Sequence, residues 1–362
     1  MERSERTRGR LTEYARAYPS LEIVDLFKYV YQSAFGCEHL VSSQQDIAEK
    51  LCLESSVRVG NESPREVEQL DGPFRRVPLS YLDRGLTPET LGRIFSLSAK
   101  APRGGEEALL SKLACVREIT REGAFPFSPA EFEGALSLWQ AEGFPAIRHS
   151  DSFREAYHPS YRVIADDYAR ILPLLCEIDK RMRTGRVILA VEGGSASGKT
   201  TLARALQEIY DCNVFHMDEF FLRPEQRTAE RLSEVGGNLD RERFLSEVLL
   251  PLSRGETVRY RLFDCSTMTL GAPVTVTPTR LTVVEGAYSM HPELAPYYDL
   301  SLFLKIDSIC QRKRIEKRNS APLAERFFGE WIPMENRYFS QMKIQEHCDL
   351  TITIDFEEDE IE

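Results

Sequence analysis

Apolar residues recur at helical spacing through roughly the first 155 positions and give way to short β-branched runs beyond about position 186. "LEIVDLFKYVYQSAFG" reads as an amphipathic helix stopped by Gly36, and "TPETLGRIFSLSAK" as another, with Thr87 as cap, Pro88 in the first turn and Leu91, Ile94, Phe95 and Leu97 on one face. The polar, turn-rich segment 54–73 reads as a loop. "SYRVIADDYARILPLLCEIDKRMRTGR" keeps a helical period, interrupted at Pro173 and closed by Gly185, and predicts a connecting helix over 159–185. Beyond it, "RVILAVE", "CNVFHMD", "LTVVEGA", "LSLFLKI" and "LTITID" alternate with helical stretches, the pattern of a parallel sheet covered by helices. The expected organisation is a mainly α-helical domain (1–158), the connecting helix (159–185) and an α/β domain (186–362).

Composition narrows this picture. A chain of 362 residues, 42% hydrophobic, has core material for two domains. A net charge of -11 argues against a general nucleic-acid surface, and no apolar run nears the ~18 residues of a membrane span. The charged start "MERSERTRGR" predicts no secretory signal, and eight cysteines without CxxC or metal-ligand spacing predict reduced thiols; together they predict a cytoplasmic location. Homo-oligomerisation is left open.

The chemistry concentrates after the first β-branched run. Gly193, Gly194, Ser195, Ala196, Ser197, Gly198, Lys199 and Thr200 fit the pattern GxxxxGK[ST], followed by Thr201, between an expected strand (186–192) and an expected helix (200–210). Glycines let successive N–H groups turn inward around an anion, and the helix N-terminus adds unpaired donors. Lys199 is suited to the outer phosphates and the Thr200 hydroxyl to Mg²⁺. Asp218, at the end of "VFHMD", is placed to accept a hydroxyl proton, the alternative being a helix cap. Glu285 ends another strand and is a candidate for holding Mg²⁺. "QRKRIEKRN" gathers Arg312, Lys313, Arg314, Lys317 and Arg318, either a solvated helix face or a clamp on a transferring phosphoryl group.

In this order the four stretches resemble the uridine kinase/phosphoribulokinase group of P-loop kinases over about 186–355. The resemblance implies an α/β P-loop kinase domain, ATP (with GTP as the alternative) and Mg²⁺, and a small-molecule hydroxyl as acceptor, with neither nucleic acid nor membrane as partner. It implies that the acceptor is nucleoside-like or sugar-like, as for a uridine kinase, that Asp218 is the base and that Lys199, Arg314, Lys317 and Arg318 contact phosphate. "GGNLDRERFLSEVLLPLSRGETVRYRLFD" resembles the group's substrate segment, which carries a substrate role onto Asp240 and also onto Tyr260, Phe263 and Asp264. Two departures stand out. Met268 lies where pyrimidine-specific members carry a His, and Phe263 replaces a Tyr, so neither can make the base-reading hydrogen bonds. A sugar, phosphosugar or vitamin alcohol is the alternative acceptor. The helical first half has no template in the group. There, Cys37, Glu38 and His39 invite a nucleophile or metal reading, and "DGPFRRVPLSYLDRG" reads as an anion site or a plain loop. The competing function class is a nucleotide-sensing module; a kinase is favoured because a sensor needs neither Asp218 nor a basic lid, and the NKxD motif of GTPases is absent.

Overall fold

The computed structural model describes residues 2–37, 44–57, 66–100, 104–264 and 267–354. The chain divides into two compact units, Met1–Cys176 and Glu177–Glu362, with the division inside the expected connecting segment. Glu38 and His39 lie outside the described residues.

The first unit contains α1 (Glu2–Ala17), α2 (Ile23–Phe35), α3 (Gln44–Val57), α4 (Pro88–Lys100), α5 (Glu106–Arg121), α6 (Pro129–Ala141), α7 (Asp151–Tyr157) and α8 (Asp166–Arg170). Local chemistry sets these limits. At the start of α6, Ser128 and Glu131 cap each other reciprocally ahead of Pro129; at α2, Glu22 and Asp25 do the same. The helices bury Leu26, Val30, Leu91, Ile94, Leu113 and Phe132. They enclose an antiparallel sheet ordered β1-β2-β3, formed by β1 (Glu68–Gln69), β2 (Phe74–Pro78) and β3 (Tyr161–Ala165).

Three expectations change here. Tyr161–Ala165 is a strand rather than part of a connecting helix, paired residue by residue with β2 from Phe74↔Ala165 to Pro78↔Tyr161. Its Tyr, Val and Ile suit a pleated surface, and β2 supplies backbone partners that no local period reveals. Within "DGPFRRVPLSYLDRG", Phe74–Pro78 is accordingly a strand rather than a loop. The segment expected as a loop from 54 is helical through Val57 at the end of α3.

After α9 (Leu172–Met182) the second unit follows as β4 (Val187–Gly193), α10 (Lys199–Tyr210), β5 (Asn213–His216), α11 (Ala229–Ser233), α12 (Arg241–Phe244), α13 (Leu250–Arg254), β6 (Val258–Asp264), β7 (Thr269–Val276), β8 (Leu281–Glu285), β9 (Leu300–Ile306), α14 (Ser308–Arg318), α15 (Ala321–Arg326), α16 (Ile332–Gln341), α17 (Ile344–His347) and β10 (Leu350–Ile354). Five strands form one parallel sheet ordered β10-β9-β4-β8-β5, while β6 and β7 make a separate antiparallel hairpin. Central β4 and its neighbour β8 are buried along their whole length, which is why they read as unbroken apolar runs. Phe215, Phe220, Leu239, Phe244 and Val284 form part of the core beside the sheet.

Among the described residues, no helix is long and apolar enough to cross a membrane, and no cysteine forms a disulfide.

Candidate active site

Strand order places the chemistry. β4, β8 and β5 are adjacent and parallel, and Glu285 pairs in register with Val191 on one side and His216 on the other. Their C-terminal ends therefore bring the glycine-rich loop, Glu285 and Asp218 to one edge of the sheet, where open α/β sheets hold ligands.

The loop needs its glycines. Gly193 has φ +152°, and a Cβ there would lie 2.5 Å from the Leu304 carbonyl oxygen; Gly198, with φ +98°, starts α10. Several loop carbonyls are held by side chains. Lys199 Nζ donates to the oxygens of Gly193 and Gly194, both at 2.9 Å. Gln311 Nε2 donates to Ser195 O and Arg314 Nη1 to Ala196 O, each at 2.8 Å. Ser197 is fully buried, and its Oγ has no hydrogen-bond partner among the described residues.

Lys199, Thr200, Thr201, Asp218, Glu285, Arg314, Lys317 and Arg318 border one cavity of about 420 Å³, together with Ser195, Ala196 and Gly198. Thr200 Oγ1 donates to Glu285 Oε1 at 3.0 Å, and His216 Nδ1 meets the same oxygen at 2.6 Å. Burial pushes the Glu285 carboxyl upward, but the His216 hydrogen bond, the Lys199 charge and the Thr200 hydroxyl outweigh it and hold Glu285 below the usual carboxylate range. Asp218 sits in the turn after β5, open to the cavity yet enclosed on its other sides. That enclosure, with the nearby Glu285 charge, raises its pKa against the pull of Lys199, His216 and Arg318. Lys317 and Arg318 are exposed on the last turn of α14.

Four residues join the site that their local sequence did not mark. Glu335, on α16, accepts the Ser195 N–H at 2.8 Å and the Ser195 hydroxyl at 2.6 Å; burial raises its pKa. Gln311 holds the loop as above, and His216 ties Glu285. Glu192 is fully buried at the end of β4 and accepts from Gly193 N, Met290 N and the Tyr338 hydroxyl at 2.8–3.0 Å. Burial pushes it up to about 7 against the backbone donors of Met290 and Gly193. An acid ending an otherwise apolar strand beside the loop was the available signal for Glu192; Glu335 had none.

The acceptor candidates lie elsewhere. Asp240, 2% exposed, caps α12: Oδ1 accepts from Arg243 N at 3.2 Å and Oδ2 from Gln226 Nε2 at 3.0 Å. Tyr260 packs in the core against Phe220 and donates to Glu219 Oε2 at 3.3 Å. Phe263 is buried and Asp264 exposed at the end of β6. None of these four borders the 420 Å³ cavity.

Among the described residues, no group of three or more His, Cys, Asp or Glu side chains could hold a metal alone. The Thr200 hydroxyl and Glu285 carboxylate are hard oxygen donors suited to Mg²⁺ that arrives with a nucleotide's phosphates.

No protein-family model and no curated protein matches the chain. Solved structures do. A possible uridine kinase from Bacillus stearothermophilus is 21% identical over 50% of this chain and 99% of its own, with a TM-score of 0.37. A candidate fructose transport system kinase from Silicibacter sp. is 23% identical over 49% of this chain and 97% of its own, with a TM-score of 0.42. On its own geometry, the parallel sheet with a glycine-rich loop leading from central β4 into α10 is a P-loop kinase-like fold.

Proposed function

We propose that the chain is an ATP-dependent kinase that moves the γ-phosphoryl group to a hydroxyl of a small molecule. One observation carries this reading: a carboxylate suited to proton transfer, a phosphate loop and a basic helix end border the same cavity. A nucleotide sensor requires only the loop.

Asp218 takes the proton of the acceptor hydroxyl as its oxygen attacks the γ-phosphorus. The bond from that phosphorus to the β–γ bridging oxygen breaks, and ADP leaves. Lys199 and the loop N–H groups hold the phosphates, while Arg314, Lys317 and Arg318 offset charge on the transferring group. Thr200 and Glu285 would hold Mg²⁺, which neutralises phosphate charge when bound. The raised pKa of Asp218 makes it a stronger base than an ordinary carboxylate.

The resemblance sets the apolar Phe263 and Met268 where pyrimidine-reading residues stand, so the acceptor class we infer is a polyhydroxylated compound such as a sugar, phosphosugar or vitamin alcohol. A metabolite library incubated with labelled ATP tests both levels. Label should move to a hydroxylated small molecule, and Asp218→Asn should slow that transfer by about 100-fold while ATP affinity holds. Nucleotide binding with no transfer to any member would favour the sensor reading. Efficient phosphorylation of uridine would refute the acceptor class alone.

A further inference from the structure

The first unit contains a cavity of about 920 Å³, within the size range of small-molecule sites. Among the described residues, Lys28, Lys50, Arg148 and Arg162 line it against a single carboxylate, Glu54. Arg162 Nη2 pairs with Glu54 at 2.7 Å, and its guanidinium lies 6.0 Å from the centre of the Phe95 ring. The other three cations have no carboxylate ion-pair partner among the described residues. Lys28 Nζ donates instead to the Ile147 carbonyl oxygen at 2.7 Å. Burial, the Arg76 charge and, to a lesser degree, the Arg148 charge lower the Lys28 pKa to about 8 against the pull of Asp25. Among the described residues, three cations without a carboxylate ion-pair partner gather in one cavity of a chain with net charge -11, and they leave a local field that repels itself and attracts an anion.

One side of the cavity is held by a hydrogen-bond network. His149 Nδ1 donates to Asp25 Oδ1 at 2.8 Å, and its Nε2 meets the Tyr161 hydroxyl at 2.7 Å. Asp25 is fully buried and also accepts from Ser150 N, Ser150 Oγ and Glu22 N, so its hydrogen-bonding capacity is committed behind the wall, and its charge offsets that of Lys28 only in part. Phe95 and Val163 add apolar surface. Cations beside apolar walls suit a molecule with one anionic end and an apolar or ring-shaped body.

We propose that this cavity binds a small organic anion, a carboxylate or phosphate on an apolar body, held by Lys28, Lys50 and Arg148. The proposal is independent of the kinase reading. Calorimetric titration of the full chain with phenyl phosphate, benzoate and uncharged benzyl alcohol tests it. The Lys199→Ala background removes phosphate binding at the glycine-rich loop. At least one anion should bind there saturably at about one per chain and lose at least tenfold in affinity when Lys28→Gln and Arg148→Gln are combined. The more exposed pair, Lys50→Gln with Arg148→Gln, gives the same reading should the first pair misfold. The ranking of phenyl phosphate against benzoate separates the two anion chemistries. No saturable binding of either anion, equal binding of benzyl alcohol, or affinity untouched by both double variants would overturn the site.

Discussion

His149 and His216 each set Nδ1 against a carboxylate oxygen, at 2.8 Å from Asp25 and 2.6 Å from Glu285, yet their titrations move in opposite directions. Burial drives His149 down to about 4 despite Asp25, with the Arg76 and Lys28 charges adding to the fall. The Glu285 hydrogen bond raises His216 against burial, and Glu219 and Asp218 add to the rise. The side chains are 5% and 40% exposed, which decides how much hydration each imidazolium loses. The pair geometry is therefore not the functional signal. In the first unit it is a brace of an uncharged imidazole on Asp25 among cations; in the second it joins an acid-rich edge beside the glycine-rich loop. Substitutions in the second region should act on turnover, and those in the first on stability.

The largest effect expected is on the phosphate-loop side. Lys199→Ala removes the ammonium proposed to hold the outer phosphates and should lower turnover by about a thousandfold with the melting temperature little changed. Steady-state rates and a thermal melt on the same sample check this, and retained activity would remove the loop from the chemistry. The brace should give the reverse result. Asp25→Ala leaves the donors of His149, Ser150 and Glu22 without their buried acceptor, costing about 3 kcal/mol or more in denaturant unfolding. Turnover per folded molecule should stay near that of the parent. A rate collapse out of proportion to unfolding would erase the distinction between the regions.

That contrast was only partly legible in the chain. The glycine-rich loop, the parallel strands and the strand-end acids Asp218 and Glu285 are written locally, because residues close in sequence produce both the pattern and the geometry. Asp240 also carried a local signal, an Asp directly before "RERF", and its cap on α12 follows from that spacing. Contacts between distant segments were not legible. β3 is a strand because β2, more than 80 positions earlier, supplies its backbone partners; its own period looked helical. Glu335 reaches Ser195 from 140 residues away, and no spacing rule connects them. His149 stood in the sequence as an isolated residue, its partner Asp25 lying 124 positions back.

Acidity should separate the two histidines next. His149 titrates lower folded than its ordinary 6.5, so as pH falls from 6.5 toward 4 the unfolded chain takes a proton that the folded chain refuses. Stability should fall by about 3 kcal/mol across that window, and His149→Asn should flatten the fall. His216 has the opposite sign. Its raised folded pKa contributes stability that is complete below the ordinary histidine value and lost as pH rises through the folded one. His216→Asn should remove that alkaline-side decline. Denaturation midpoints measured from pH 4 to 8.5 separate the cases; equal slopes in the two variants would mean that the shared pair geometry, rather than its surroundings, governs both.

The smallest effect sharpens the electrostatic half of the comparison. The first unit's cavity has an excess of cations, whereas Asp218, Glu285 and Glu335 set three carboxylates around the loop cavity against Lys199, Arg314, Lys317 and Arg318. Of these acids, Glu335 is hydrogen-bonded to Ser195, at N and Oγ, while Glu285 accepts from Thr200. The Glu335 charge faces the approaching phosphates without serving as a proton acceptor in the mechanism. Glu335→Gln retains a carbonyl acceptor for the Ser195 N–H and removes the charge. Relief of that repulsion is worth about 1 kcal/mol at the intermediate separations and screening of a partly open site, so ATP should bind roughly fivefold tighter. The transfer rate at saturating ATP should change little, since Asp218 and the basic helix end are untouched. Fluorescent-nucleotide titration and single-turnover transfer measure the two quantities separately. Weaker ATP binding would instead make Glu335 a brace like Asp25, whose hydrogen bonds matter more than its charge.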